Sequence, residues 1–356
     1  MNLDQLVKFV SEATAGDVAK QLELADYYKE GKEGLKQSWE NAIQWWQKAA
    51  AQNAPEAYWQ LGLCYLKGLG LEPSLDQAIE NLRKAAEQNH LQAQVALGYL
   101  YFTGQGVKPS SKQSIEWFLK AAQQGDVRAQ YNLGLCYDHV RQYNEAVLWY
   151  QRAAHSGHLK SQVNLALHLL VGAGTAKDPA EAVKWWRLAA QSGDPVAQYH
   201  LGNCYYRGIA LPQSYQKSVE WLTKSAEQGC ALAEALLGVC YFDGTGVERS
   251  YEQAVVYLKR AGNVPLALYH LGLCYESGRG LICSMEDAVA CMKLAAQKKY
   301  NPAKQWLDKN SQTRDNSNDN DYNDEDDYQA DYYVDDYPVY EADSEEEAEM
   351  IYWNTH

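Results

Sequence analysis

The eight cysteines are the residues of this sequence best suited to chemistry, and five of them stand in one repeated setting. LGLCY occurs at 61–65, 133–137 and 271–275, with LGNCY at 201–205 and LGVCY at 237–241. A thiol can ligate a metal, attack as a nucleophile or pair in a disulfide. Zinc ligation has no spacing to support it, because no C-x-x-C occurs anywhere. Cys64, Cys136, Cys204, Cys240 and Cys274 share one slot, which Leu100 and His168 fill in sister copies. Packing tolerates such exchanges and catalysis does not, so the slot reads as a small hydrophobe of the core.

The remaining chemical candidates are weaker. GLGLE at 68–72, GQGV at 104–107 and GTGV at 244–247 resemble phosphate-cradling loops. They follow helical patterns instead of strands and lack a third glycine or a GK[ST], so nucleotide binding is not supported. His155-x-x-His158 lies in a turn, AAHSGHL, with no third ligand at matching spacing, and reads as solvated loop. Asp319, Asp321 and Asn323 begin a run like a calcium loop, but the sixth place is Asp324 instead of glycine and the twelfth is Ala330. That pattern supports no more than weak cation binding. No Ser/His/Asp arrangement and no isolated pair of carboxylates emerges. The expectation is therefore a protein that is not an enzyme and needs no cofactor or metal.

Composition bounds the setting. The chain has 356 residues, 46% of them hydrophobic, without the run of about 18 apolar residues that crosses a membrane. MNLDQLVKFVSEATAGD has no basic n-region or long apolar stretch, so a cytoplasmic location is expected, with signal-less export an open alternative. The net charge of −14 is concentrated at one end. From 311 onward sixteen Asp/Glu face one basic residue, Arg314, which leaves 1–310 at +1. A nearly neutral body thus carries an acidic tail.

These residues are positioned by internal repeats. The small residue after the recurring leucine falls at Ala25, Gly62, Gly98, Gly134, Ala166, Gly202, Gly238 and Gly272, at intervals of 37, 36, 36, 32, 36, 36 and 34. Within the copy at 57–90, Ala57, Leu61, Cys64 and Tyr65 fall on one helical face, and Ala78, Leu82, Ala85 and Ala86 on another. Gly68, Gly70 and Pro73 turn the chain between them. Each copy is a helix pair too small to stand alone, and stacking buries its faces, which predicts a solenoid. Gly62 and its equivalents let one helix back onto its partner. Trp46, Phe118, Tyr150 and Trp186, with Leu82, Leu222, Leu258 and Met292 elsewhere, fill the space between units. Residues 2–12 and 302–308 read as a covering half-unit and a closing helix.

The pattern A-x-x-x-L-G-x-x-Y-x-x-G-x-G-V…A-x-x-W-x-x-K-A-A-x-x-G resembles the Sel1-like repeat family of the tetratricopeptide-like superfamily. Residues 129–154 and 233–262 carry it, with GQGV, GTGV and WFLKAAQQG at 117–125, over about 18–308. Two copies depart from it. The one at 134–165 lacks the G-x-G loop and continues DHVRQYNEAV, and the first has Lys20 where others have Ala or Ser161. The resemblance implies an all-α, right-handed α-solenoid of about eight repeats: a cap over 1–17, the array over 18–310, a disordered acidic tail over 311–356. Some exported relatives pair two cysteines per repeat; here most copies have one. In one shared slot the thiols lie about 10 Å apart along the stack, beyond the ~7 Å reach of a disulfide.

By resemblance to tetratricopeptide arrays, the first helix of each pair lines a concave groove. The slot two before the leucine then reads Trp59, Val95, Tyr131, Val163, Tyr199, Ala235 and Tyr269, and the next reads Gln60, Ala96, Asn132, Asn164, His200, Leu236 and His270. Arg128, Lys160, Asn203 and Arg207 add polar and basic groups in the central copies. Aromatic anchors with amides and cations suit an extended peptide. The same tyrosines also suit packing between units, and both readings stand at this point.

The tail has few aliphatics and one sign of charge, which predicts disorder in isolation. Seven tyrosines from Tyr322 to Tyr352, and Trp353, exceed what a solubilising tail needs. Asp and Tyr in alternation suit a basic surface, and SEEEAEMIYW suits a short capped helix on docking. Two functions follow as expectations. One is a non-catalytic adaptor that holds a partner protein or peptide in its groove, with the tail a second contact or an intramolecular competitor. The other is an inhibitor or immunity-type protein that neutralises a basic target through the tail. Neither expectation involves nucleic acid or membrane.

Overall fold

The computed structural model describes residues 2–315, and among them it holds eighteen α-helices and no strand. Two compact units divide it, one reaching His158 and the other starting at Leu159. The first unit comprises α1 (Leu3–Thr14), α2 (Val18–Glu30), α3 (Trp39–Ala51), α4 (Pro55–Lys67), α5 (Leu75–Glu87), α6 (Leu91–Thr103), α7 (Ser111–Gln123), α8 (Val127–His139) and α9 (Tyr143–His155). The second comprises α10 (Leu159–Val171), α11 (Pro179–Gln191), α12 (Pro195–Arg207), α13 (Tyr215–Glu227), α14 (Ala231–Asp243), α15 (Tyr251–Arg260), α16 (Pro265–Ser277), α17 (Met285–Gln297) and α18 (Asn301–Asp315). The covering half-unit is α1. The closing helix is α18, which runs on to Asp315, past the expected boundary at 310. The tail readings beyond 315 lie outside the described residues.

Local chemistry fixes the helix ends. Most second helices begin at a side-chain cap, as where Ser74, Ser110 and Ser214 accept from the backbone N–H three residues on. First helices commonly end at a left-handed glycine such as Gly68 or Gly208. The copy without G-x-G turns instead at Arg141, which adopts a positive φ of 60°.

Two glycine positions are set by neighbours. A Cβ on Gly134 would meet the Tyr150 ring at 2.5 Å, and one on Gly98 the Phe118 ring at 2.7 Å, so each first helix backs directly onto the spacer of its partner. The second glycine of G-x-G has a different neighbour. A Cβ on Gly70 would lie 2.7 Å from Trp39, on Gly246 2.5 Å from Tyr215, and on Gly280 2.4 Å from Tyr251. Trp39, Tyr215 and Tyr251 open the second helix of the preceding pair. The loop that resembled a phosphate cradle is a seat for the preceding repeat.

The seams between successive repeats also carry a buried amide clamp that no hydrophobic period reveals. Gln21, Gln94, Gln130 and Gln198 donate Nε2 to the carbonyls of Ala13, Ala86, Ala122 and Ala190, at 3.0, 3.1, 3.5 and 3.2 Å. Gln52, Gln124 and Gln228 then donate to Oε1 of Gln21, Gln94 and Gln198, at 2.9, 2.7 and 2.9 Å. In one copy the glutamine slot holds Glu234, and Arg260 bridges it. Nη2 of Arg260 lies 2.6 Å from Glu234 Oε1 and donates to the Ala226 carbonyl at 3.2 Å.

Candidate interaction surface

The five repeated cysteines are all buried, and all eight are free thiols. Burial pushes the thiols of Cys136, Cys204 and Cys240 up to about 12, and those of Cys64 and Cys274 to about 11. Such thiols are neutral at pH 7 and poor nucleophiles. Among the described residues no group of three or more His, Cys, Asp or Glu gathers as a metal site. The described helices include none long and apolar enough to cross a membrane.

In the first unit the residues predicted for a groove part company. Trp59 is 8% exposed, its ring stacked on His90 at 5.5 Å and 27°. His90 caps α6 by accepting the Ala93 N–H on Nδ1, so its Nε2–H donates to Glu56 at 3.0 Å. Glu56 also accepts from Gln60 at 2.7 Å, and the His90 contact, with help from Gln60, holds its carboxyl below the usual glutamate range. Tyr131 is 6% exposed, its ring 4.8 Å from His158 and 6.1 Å from Tyr150. Asn132 on the same helix is half-buried, and Arg128 one turn earlier is exposed.

The second unit repeats the division. Tyr269 is 7% exposed and 5.5 Å from Tyr300, just before α18. Trp59, Tyr131 and Tyr269 thus each turn toward the aromatic residue that opens the next helix pair. Tyr199 stays half-buried, packed against the cluster that holds Leu222, Ala226 and Leu237, with its ring 5.1 Å from that of His200 on its own helix. His200 is 1% exposed and stacks on Trp186 at 4.7 Å and 14°. Burial pushes its imidazole down to about 3, so it is neutral at pH 7. Asn164 is fully buried, and neither amide atom has a hydrogen-bond partner. Lys160 is half-buried, Asn203 half-buried and Arg207 exposed.

On α12, Tyr199, Asn203 and Arg207 fall at i, i+4 and i+8, one face of one helix. The first helices of the second unit form a layer in which α12 touches α14 and α14 touches α16. Leu266 of α16 is partly open and packs against the same cluster as Tyr199. The result is a strip that offers a ring, an amide and a guanidinium, with aliphatic surface alongside.

A second surface was not foreseen. On the second helices Trp45, Trp117, Trp149 and Trp221 each lie under the cation three residues on: Lys48, Lys120, Arg152 and Lys224, at 3.6, 4.2, 4.3 and 4.4 Å. The W-x-x-K of WFLKAAQQG contained that signal, since i and i+3 are neighbours on a helix.

The Sel1 repeat model matches residues 21–53, 55–90, 91–126, 127–158, 159–194, 195–230, 231–263 and 265–300. Among solved structures the chain is similar to c5321, described as a protective antigen of uropathogenic Escherichia coli strains displaying an SLR fold, with 31% identity and a TM-score of 0.71. The match covers 85% of this chain and 66% of that one, just under two thirds of its length. A Sel1 repeat protein from Oxalobacter formigenes is also similar, at 27% identity and a TM-score of 0.68, over 86% of this chain and 90% of that one. No match is found among curated proteins.

Proposed function

Because this chain belongs to the Sel1 repeat family, α-solenoids that are generally protein-interaction scaffolds and typically non-catalytic, we propose that it is an adaptor whose first-helix faces hold an extended segment of another protein. The observation that carries this reading is the strip of Tyr199, Asn203 and Arg207 along α12, still open to solvent in whole or part. An extended segment exposes carbonyls and N–H groups that an amide can meet, carboxylates that a guanidinium can pair, and side chains that a ring can cover. Arg128 and Asn132 offer the same groups on α8 of the first unit. Trp59, Tyr131 and Tyr269 contribute less in this reading, since their rings are committed to the next pair. With five shielded thiols and no disulfide, the chain suits a reducing cytoplasm.

The test is affinity for a partner captured from the native cell extract. Tyr199→Ala and Arg207→Ala each lower that affinity at least fivefold, while 0.5 M salt lowers it only modestly. The alternative, a polyanionic inhibitor of a basic target, is supported by the charge of the tail. It predicts binding that collapses with salt and vanishes without residues 316–356. Unchanged affinity in both Tyr199→Ala and Arg207→Ala sinks the adaptor.

A further inference from the structure

We propose that the α12 strip is occupied in the free protein by the chain's own segment 321–340, which an incoming partner must displace. This rests on the reading of the strip as a peptide surface and adds its regulation and the chemistry of its competitor.

Three observations carry it. The first is charge. Residues 316–356 hold fifteen Asp/Glu and no Lys/Arg, whereas the strip carries Arg207, with Lys160 on α10 of the same unit. The second is chemistry at finer grain. Segment 321–340 contains eight acidic residues and six tyrosines, arranged as Asp-Tyr pairs at 321, 327, 331 and 336. Carboxylates meet the guanidinium and ammonium, tyrosine rings meet Tyr199 and the partly open Leu266, and backbone groups meet the amide of Asn203.

The third is reach. The described chain ends at Asp315 on α18, three helix pairs beyond α12 in the same unit. At about 10 Å per pair the gap is ~30 Å, and an extended chain covers ~3.3 Å per residue. Ten residues span it, so the chain reaches α12 at about residue 325 and the rest of segment 321–340 is free to lie along the strip. Tethering then sets an effective concentration near the millimolar range, and modest intrinsic affinity suffices to keep the strip filled. A segment that competes for the strip should share its chemistry: acidic and tyrosine-bearing.

The experiment uses full-length protein, protein truncated after Asp315, and a fluorescein-labelled synthetic peptide of residues 321–340. Anisotropy should show the truncated protein binding the peptide at least tenfold more tightly than full-length protein. Asn203→Ala with Arg207→Ala in the truncated protein should weaken it at least fivefold with the thermal melt unchanged, and rising salt should weaken it too. Carbodiimide should couple Lys160 to a carboxylate within 321–340 of the same molecule, at a yield independent of protein concentration. Equal peptide binding by full-length and truncated protein overturns the proposal, as does binding indifferent to the double substitution. A cross-link that grows with concentration assigns the strip to the tail of a second copy and also overturns it. Where the peptide binds neither form but Tyr199→Ala still weakens partner capture, the tail proposal fails and the adaptor reading stands.

Discussion

Arg260→Met tests the seam chemistry most directly. Glu234 is a buried carboxylate whose side chain is 5% exposed, and the Arg260 guanidinium sits 2.6 Å from it. Methionine keeps much of the aliphatic stem over Tyr257 and removes only the charge and the donors. Stranding a buried partner of an ion pair costs about 3–5 kcal/mol in well-enclosed cases. Arg260 is itself 49% exposed, so solvent softens the loss. A value of about 2–3 kcal/mol follows, including the bond to the Ala226 carbonyl at roughly 1 kcal/mol. Adding Glu234→Gln should recover most of it, because glutamine there can donate to Ala226 as Gln198 donates to Ala190. Urea unfolding followed by circular dichroism, on wild type, both single variants and the double, gives the coupling directly. The cooperative unit of an array can be smaller than the chain, so midpoint and slope are compared together. A loss under about 0.5 kcal/mol for Arg260→Met, or no recovery in the double variant, would refute the clamp as a stabilising contact.

Other outcomes follow from the same geometry. Gly134→Ala should cost about 1–3 kcal/mol by thermal melt, since its Cβ meets the Tyr150 ring at 2.5 Å. Gly62→Ala should cost less, its nearest contact being the flexible Leu82 end at 3.0 Å. Ellman's reagent on native protein should titrate the exposed Cys283 first and the five slot thiols only on unfolding. Those thiols have raised folded-state values of about 11–12 against 9.0 unfolded. The native state therefore holds protons that the unfolded chain has released, and stability present below pH 9 should fall as pH rises toward 12. Substituting the slot cysteines by alanine should flatten that fall. Glu56 runs the other way. Its carboxyl is lowered by His90, so its contribution is present above the ordinary glutamate range and is lost as pH falls through the lowered value. Glu56→Gln should reduce the acid sensitivity of the first unit in hydrogen exchange.

The array was legible because its determinants are local and periodic. Leucine, glycine and cysteine at fixed offsets within one helix admit one packing, and Gly62 opposite Leu82 is where the sequence places it. The candidate surface was less legible because the aromatic slot borders two neighbours, the solvent face and the next pair. What decides between them lies about 30 residues away. Trp59, Tyr131 and Tyr269 face His90, His158 and Tyr300, the aromatic residues just ahead of the next first helix, whereas the residue in that place after Tyr199 is Cys230, which has no ring to offer. Reading the slot against the residue that opens the following pair would have separated them. The glutamine clamp escaped for another reason. It joins a side chain to a backbone carbonyl, and a carbonyl leaves no mark in a sequence.

That same clamp bears on how such a chain grows. Gln198 and Gln228 belong to one repeat, and all they ask of the repeat before is a main-chain oxygen, which any predecessor supplies. The copy at 231–263 likewise carries both Glu234 and Arg260, and takes only the Ala226 oxygen from its neighbour. A duplicated or deleted repeat therefore arrives with its own fastening and needs no matching change next door. Gene duplication could lengthen or shorten the array by whole units, leaving each copy to diverge on its open face alone.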